Sequence, residues 1–489
     1  HYLPISLDGV TPGDFTLVFG FPGTTREYLP ASAVQQLTET LNPIRIGIRD
    51  RSLAIIDEAM RSDPQIRIQY ASKQANLANS WKKWIGESLG IKTVNGIEQK
   101  KSVEAEFMRR VNAQPQWKTA YGALLPDLEA LYKEIEPYAK SRDYITEIAS
   151  TNVELLRFAN TLHQFVVIYE NNGADALKQR KEQLRNAFTN FYKDYRPEVD
   201  QRVFAALGDL YFTKLPAAHL SPYATEQMNF AGKNADEFAR ILFYKSRLAQ
   251  AADWAEKTEA DPVQVIRLIK EDYAYQLVRN ILETAEVKVF RPYNEIQDKI
   301  NLLQRSYMKA LMEVLKEKRF YPDANSTLRV TYGKVEGYQP KDGVFYVPFT
   351  YLDGVMEKFK PGDYEFDVPE KLRQLHAPLW GKRETPRLFP RVKPHHRRQF
   401  REPGHRRARQ PDRVELRPGL GRHHERYPLL SGDLPQHHGG YPLCVVYGRQ
   451  ICGRFTSGQG NETGASQEKR VMYSQDNKGL AFQVESKPF

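Results

Sequence analysis

The sequence predicts an α+β protein in which one β domain is interrupted by a large helical block. Three observations predict it. Apolar residues alternate near the start. They recur every three or four positions from about Ser32 to Phe320. They alternate again after Tyr321-Pro322-Asp323. A single β domain carrying a helical insertion accounts for that order with the fewest parts.

The first β part is assigned to residues 1–31. Leu3-Pro4-Ile5-Ser6-Leu7 alternates and stops at Asp8-Gly9, a turn dipeptide. Phe15-Thr16-Leu17-Val18-Phe19 reads as a buried strand closed by Gly20-Phe21-Pro22-Gly23. Thr24-Thr25 follows in place of the Gly-Lys-Ser/Thr ending of a phosphate loop, so the segment reads as a β-turn. The chain opens on His1 within an alternating stretch, which reads as a segment of a longer protein.

Residues 32–320 are expected to be helical. Leu155, Phe158, Leu162, Phe165 and Val166 share one face. So do Phe238, Ile241, Leu242, Lys245 and Leu248, and Ile266, Ile269, Tyr273, Leu277 and Ile281. Ser221-Pro222 and Asp261-Pro262 read as helix starts with Pro in the first turn. Trp81 and Trp84 fall on one helix face with Leu77, Ile85 and Ser88, and are expected in the core. Asn79 points the other way, beside Asn76 and Lys83, where a solvated face is the default.

Residues 321–375 return to β. Thr327-Leu328-Arg329-Val330-Thr331-Tyr332 alternates up to Gly333, and Val344-Phe345-Tyr346-Val347-Pro348-Phe349 follows Asp342-Gly343. From His376 to Phe489 the regularity stops, and an irregular, disordered tail is expected. Phe389, Phe400 and Leu416 stand alone, and only Leu480-Ala481-Phe482 hints at an apolar run.

Charge follows the same division. The 489 residues carry 71 Lys+Arg against 60 Asp+Glu, a net +11. Between His376 and Arg454 stand 17 Lys+Arg and 6 Asp+Glu, so that stretch holds the whole excess. It also holds both cysteines, Cys444 and Cys452, and eight of the eleven histidines. Two cysteines exclude a disulfide framework and a four-cysteine zinc site. The His pairs 395/396, 423/424 and 437/438 are adjacent and do not share a helix face, so no metal site and no cofactor is expected. No window approaches 18 uninterrupted apolar residues, so no membrane span is expected. Arg397, Arg398, Arg401, Arg406, Arg407 and Arg409 admit one alternative: a non-enzymatic helical protein with a basic nucleic-acid-binding arm. Aromatics for base stacking are sparse there, and nucleic acid is not the expected partner.

Three stretches carry a specific likeness. They are His1-Tyr2-Leu3-Pro4-Ile5-Ser6 with Gly13-Asp14-Phe15 and Phe19 to Thr25; Lys73 to Gly86 with Asn79-Ser80-Trp81-Lys82-Lys83; and Phe320 to Arg329 with Tyr332-Gly333-Lys334-Val335. Over residues 1 to about 375 the chain resembles the bacterial dipeptidyl-peptidase 7 and 11 family. The resemblance implies part of a chymotrypsin-like double β-barrel with a large helical insertion. It implies a serine exopeptidase that releases dipeptides from free N-termini. It implies peptide substrates, a homodimer, and a periplasmic, cell-envelope or secreted location. It also implies that Asn79 binds the substrate's α-ammonium group.

No catalytic residue transfers. The family's triad His and Asp lie upstream of the part resembling His1, and its Gly-Gly-Asn-Ser-Gly-Ser-Pro nucleophile motif is missing after residue 375. A frame slip near Leu375 accounts for that loss. Read one base on, Arg397 to Gly404 permits the motif, with the lost Ser near Phe400. Pro435 to Tyr447 permits a strand-like run in the same frame. Pro418-Gly419 then permits Arg but not Gly at the family's specificity position, which points to Asp or Glu at P1. The chain as it stands is expected to be inactive.

Overall fold

The computed structural model describes residues 10–250, 253–363 and 365–376, and the backbone of strand segments at 387–390, 392–394, 444–447, 470–476 and 479–485. It is mostly helical, with short strands on both sides of the helices in sequence. The chain divides into a helical unit, Arg26–Pro322, and a β unit from the residues before and after it.

The principal helices are α1 (Asn42–Ser62), α2 (Pro64–Thr93), α3 (Gly96–Ala113), α4 (Leu124–Ile145), α5 (Glu154–Gln179), α6 (Pro197–Lys214), α7 (Pro262–Glu271), α8 (Tyr273–Ala285) and α9 (Arg291–Val314). The apolar stripe of α5 is buried as its period predicts: Leu155, Phe158, Leu162, Phe165 and Val166 all face the core. Each such side chain contributes about 1.5–3 kcal/mol of burial. Phe158 stacks on Phe191 at 3.8 Å, and Phe188 on Trp254 at 5.1 Å. A second apolar cluster joins Phe107 and Val111 of α3 to Leu128 and Ile135 of α4 and Ile296 and Ile300 of α9.

The stripe read through Ile266 to Ile281 is two helices. Asp272 separates α7 from α8 and caps α8 by accepting from Ala274 N at 2.9 Å and Tyr275 N at 3.3 Å. Asp261 caps α7 in the same way, and Ser221 caps the Pro222–Phe230 helix, each followed by Pro. Three wider π-helical turns, Gln36–Leu41, Thr146–Asn152 and Glu286–Phe290, lead into α1, towards α5 and into α9. The two ends of the helical unit meet: Tyr28 OH donates to the Tyr321 carbonyl at 2.7 Å and accepts from Tyr321 N at 2.9 Å.

In the β unit, β1 (Phe15–Gly20) pairs antiparallel with β2 (Arg329–Val335), with Leu17 opposite Tyr332 and Gly20 opposite Arg329. The turn after β1 is held by Ser326 N, which donates to the carbonyls of Pro22 and Gly23. β3 (Tyr338–Lys341) and β4 (Val344–Tyr346) form a hairpin whose turn needs Gly343, at φ +70°. The strand expected through Phe349 stops at Tyr346 and resumes as β5 (Phe349–Tyr351). Pro348, which has no N–H to donate, lies in the gap. The expected strand at Leu3–Leu7 lies outside the described residues.

The tail departs from the expected irregularity at five places: β6 (Arg387–Pro390), β7 (Val392–Pro394), β8 (Cys444–Tyr447), β9 (Arg470–Asp476) and β10 (Gly479–Glu485). β7 and β8 extend the sheet to the order β7-β2-β1-β8. Without them the outer edges of β1 and β2 would present unpaired N–H and C=O rows, and Cys444-Val445-Val446-Tyr447 is rich in strand formers. β9 and β10 pair with each other. Among the described residues the sheets are open, and none closes into a barrel. No described helix is long and apolar enough to cross a membrane.

Candidate functional site

The site centres on α2, which carries Asn79. Pro64 opens this 30-residue helix, and Asp63 caps it by accepting from Gln65 N at 2.7 Å. Ile66, Tyr70, Ala78 and Ile91 bury its inner face. Asn79 is exposed, and its side chain makes no hydrogen bond among the described residues. A side-chain amide in that position is free to accept from a ligand.

The helix is anchored on both sides of Asn79. Arg49 of α1 is buried, and its Nε and Nη2 donate to the Glu147 carboxylate at 2.8 and 3.0 Å. Its Nη1 donates to the Leu77 carbonyl at 2.9 Å, two residues before Asn79. The Arg49 guanidinium lies 4.5 Å from the centre of the Trp84 ring. Asn152 Nδ2 donates to Glu147 Oε2 at 3.1 Å, and Ser52 Oγ donates to Asn152 Oδ1 at 2.6 Å. The π-helical turn supplies both Glu147 and Asn152, so α1, α2 and that turn share one bidentate ion pair.

Trp81 and Trp84 are half-buried, which corrects their expected place in the core. Trp81 Nε1 donates to Asp50 at 2.6 Å, and Trp84 receives Arg49 and, at 5.5 Å, Arg45. Cations reaching over from α1 take the ring face, which the period of α2 alone does not reveal.

A second junction lies earlier on the same helix. Lys73 Nζ pairs with Glu154 of α5 at 2.6 Å, donates to the Asp194 carbonyl, and sits 4.2 Å from the centre of the Tyr70 ring. Asp200 of α6 is fully enclosed. Its two oxygens accept from Glu154 N and Leu155 N, both at 2.7 Å, so α6 caps the start of α5. Burial, and then the Glu154 carboxylate, push Asp200 up to about 7. The same burial raises the Tyr70 and Tyr195 phenols, keeping both neutral.

Between these junctions is a cavity of about 260 Å³, lined by Lys73, Asn76, Ser80 and Glu154 on one part and by Ile56, Val199 and other apolar side chains on the rest. It takes Asn76 and Ser80 from α2, while Asn79 stands outside it. Among the described residues, no three His, Cys, Asp or Glu side chains are set to hold a metal ion. The region near Phe400, the basic arm at Arg397 to Arg409 and the Pro418-Gly419 position lie outside the described residues.

Residues 1–382 match the family Peptidase S46. The chain belongs to that family. An Asp/Glu-specific dipeptidyl-peptidase of Flavobacterium psychrophilum is 45% identical over 376 residues, 77% of this chain and 52% of that protein. A dipeptidyl-peptidase 7 of Phocaeicola vulgatus is 32% identical over 377 residues, 77% of this chain and 51% of that protein. The crystal structure of Porphyromonas endodontalis DPP11 with the dipeptide Arg-Glu superposes with a TM-score of 0.63 at 26% identity, over 77% of this chain and 53% of that one. The S46 chain thus spans about half the length of the curated relatives it matches.

Proposed function

We propose that this S46 chain is the part of a serine dipeptidyl-peptidase that measures its substrate from the free N-terminus. Asn79 accepts a hydrogen bond from the α-ammonium group. A serine elsewhere in the whole enzyme attacks the second peptide bond, with a His as general base, an Asp orienting it, and backbone N–H groups holding the oxyanion. The preferred P1 residue is Asp or Glu, and the enzyme works in the periplasm or cell envelope. Residues 1–375 supply none of the triad, so the chain alone turns over no peptide. The observation that carries this reading is 45% identity over 376 residues to a peptidase named for Asp and Glu, together with an exposed, uncommitted Asn79 on a tightly held helix.

The test is a completed enzyme in which residues 1–375 replace their counterpart in the Flavobacterium psychrophilum relative. It should release dipeptides from peptides with a free amine and not from their N-acetylated forms, and should favour Asp or Glu over Leu at P1. Equal turnover of blocked and free peptides would sink the reading. So would peptidase activity of the purified chain by itself.

A further inference from the structure

We propose that Lys73, Glu154 and Asp200 form a proton-linked joint: a proton on Asp200 leaves Lys73 and Glu154 as a matched pair that holds α2 against α5 and α6, and loss of that proton loosens the hold. Three elements meet at this point: Asp200, Tyr70 and Glu154 are buried, and Lys73 is half-buried beside them. Helix α5 contributes Glu154, α6 contributes Asp200, and α2 reaches them through Lys73 and Tyr70.

The charge around the pair decides the argument. The cations facing it are Lys73, at 2.6 Å from Glu154, and Arg157, which is half-exposed and 3.9 Å from the same carboxylate. Arg49, which also lines the cavity, gives its charge to Glu147 in a bidentate pair. Tyr70 and Tyr195 face the pair as neutral phenols: Tyr195 OH donates to Asp200 Oδ2 at 3.3 Å, and Tyr70 OH donates to the Arg196 carbonyl at 3.4 Å. With both carboxylates ionised, two enclosed negative charges therefore share one close ammonium group. With Asp200 protonated, the Glu154 carboxylate alone meets Lys73 and the balance is restored.

An unfolded aspartate releases its proton near 3.8, whereas the enclosed Asp200 holds it to about 7. Between those values the folded chain binds more protons than the unfolded chain. Its contribution to stability is therefore full at the acid end, falls as pH rises through the window, and levels off above about 7. Lys73 lies six residues before Asn79 on the same helix. A looser joint then means a less well-placed Asn79, a consequence that rests on the α-ammonium reading above.

The experiment uses the full chain and needs no substrate. Urea unfolding is followed from pH 4 to 8.5 for the wild type, Asp200→Asn and Glu154→Gln, with hydrogen exchange of the α2 amides corrected for intrinsic rates. The unfolding constant of the wild type, relative to Asp200→Asn, should rise by up to about tenfold per pH unit and then level off. Glu154→Gln removes the like charge but leaves both backbone caps on Asp200, so it should move the midpoint to lower pH. Protection of α2 should fall with the wild-type midpoint. A slope unchanged in Asp200→Asn overturns the proposal, as does α2 protection that ignores pH. If Asp200→Asn does not fold, an unmoved midpoint in Glu154→Gln overturns it. Turnover by Asn79 variants is measured separately, so failure of either reading leaves the other standing.

Discussion

Replacing Arg49 by Met should cost the helical unit about 4 kcal/mol. Arg49 makes two charge-assisted bonds to Glu147, one bond to the Leu77 carbonyl, and a face contact with Trp84. Taken singly, the bonds to the carboxylate are worth about 1.5–3 kcal/mol each and the ring contact about 2. These do not add, because they share one guanidinium. The better guide is what remains: a buried Glu147 carboxylate to which, among the described residues, Asn152 still donates a side-chain hydrogen bond. Breaking a buried pair in that way costs about 3–5 kcal/mol. At roughly 2–4 °C per kcal/mol, the melting temperature should fall by about 8–16 °C. Urea unfolding read by far-UV circular dichroism reports the helices directly. The double variant Arg49→Met with Glu147→Leu should recover at least about 2 kcal/mol, since no uncompensated charge is left. A loss under about 1 kcal/mol for Arg49→Met would refute the reasoning, because that is the worth of a solvated pair.

Asn79→Ala should leave stability within about 0.5 kcal/mol, since the side chain is exposed and unbonded. In the completed enzyme it should lower kcat/KM by about 10- to 150-fold, the worth of one hydrogen bond to a charged group. Unchanged dipeptide release would make Asn79 a solvent-facing residue only. Asp261→Ala removes an exposed cap that accepts from Val263 N and Gln264 N, and should lower stability in urea by about 1 kcal/mol. Asp272→Ala should cost more than about 3 kcal/mol, because it strands four donors in a buried site: Ser246 Oγ, Leu248 N, Ala274 N and Tyr275 N. Equal losses for the two aspartates would show that burial does not set the scale here.

Periodicity carried much of the fold. The stripe of α5 and the Pro-marked starts at Ser221 and Asp261 are local signals, and the structure follows them. The break at Asp272 leaves no mark in the period, because Ile269 and Tyr273 keep the spacing of one helix across it. The anchors around Asn79 were not legible for a different reason. Arg49 and Glu147 are 98 residues apart, and Asp200 caps a helix that begins 46 residues earlier. No window of sequence holds both partners, and charged residues on a helix read as solvent-facing until a neighbour encloses them. The misplacement of Trp81 and Trp84 has the same origin. β8 is not legible because four residues are too short to show a period, while a sheet edge is enough to pair them.

The clasp between Tyr28 and Tyr321 bears on the order in which the chain assembles. Thr16 and Gly333, partners across β1 and β2, are 317 residues apart. Closing a loop of that length in a free chain costs roughly 5 kcal/mol. Once the helices have packed, the tyrosine clasp brings the entering and leaving strands side by side, and the long closure becomes a short one. On this argument the helices are expected to pack before the host sheet pairs. In pulse-labelled refolding, the amides of α5 and α6 should gain protection before those of β1 and β2. A mutation that slows helix packing should delay the sheet equally, although it touches none of its residues.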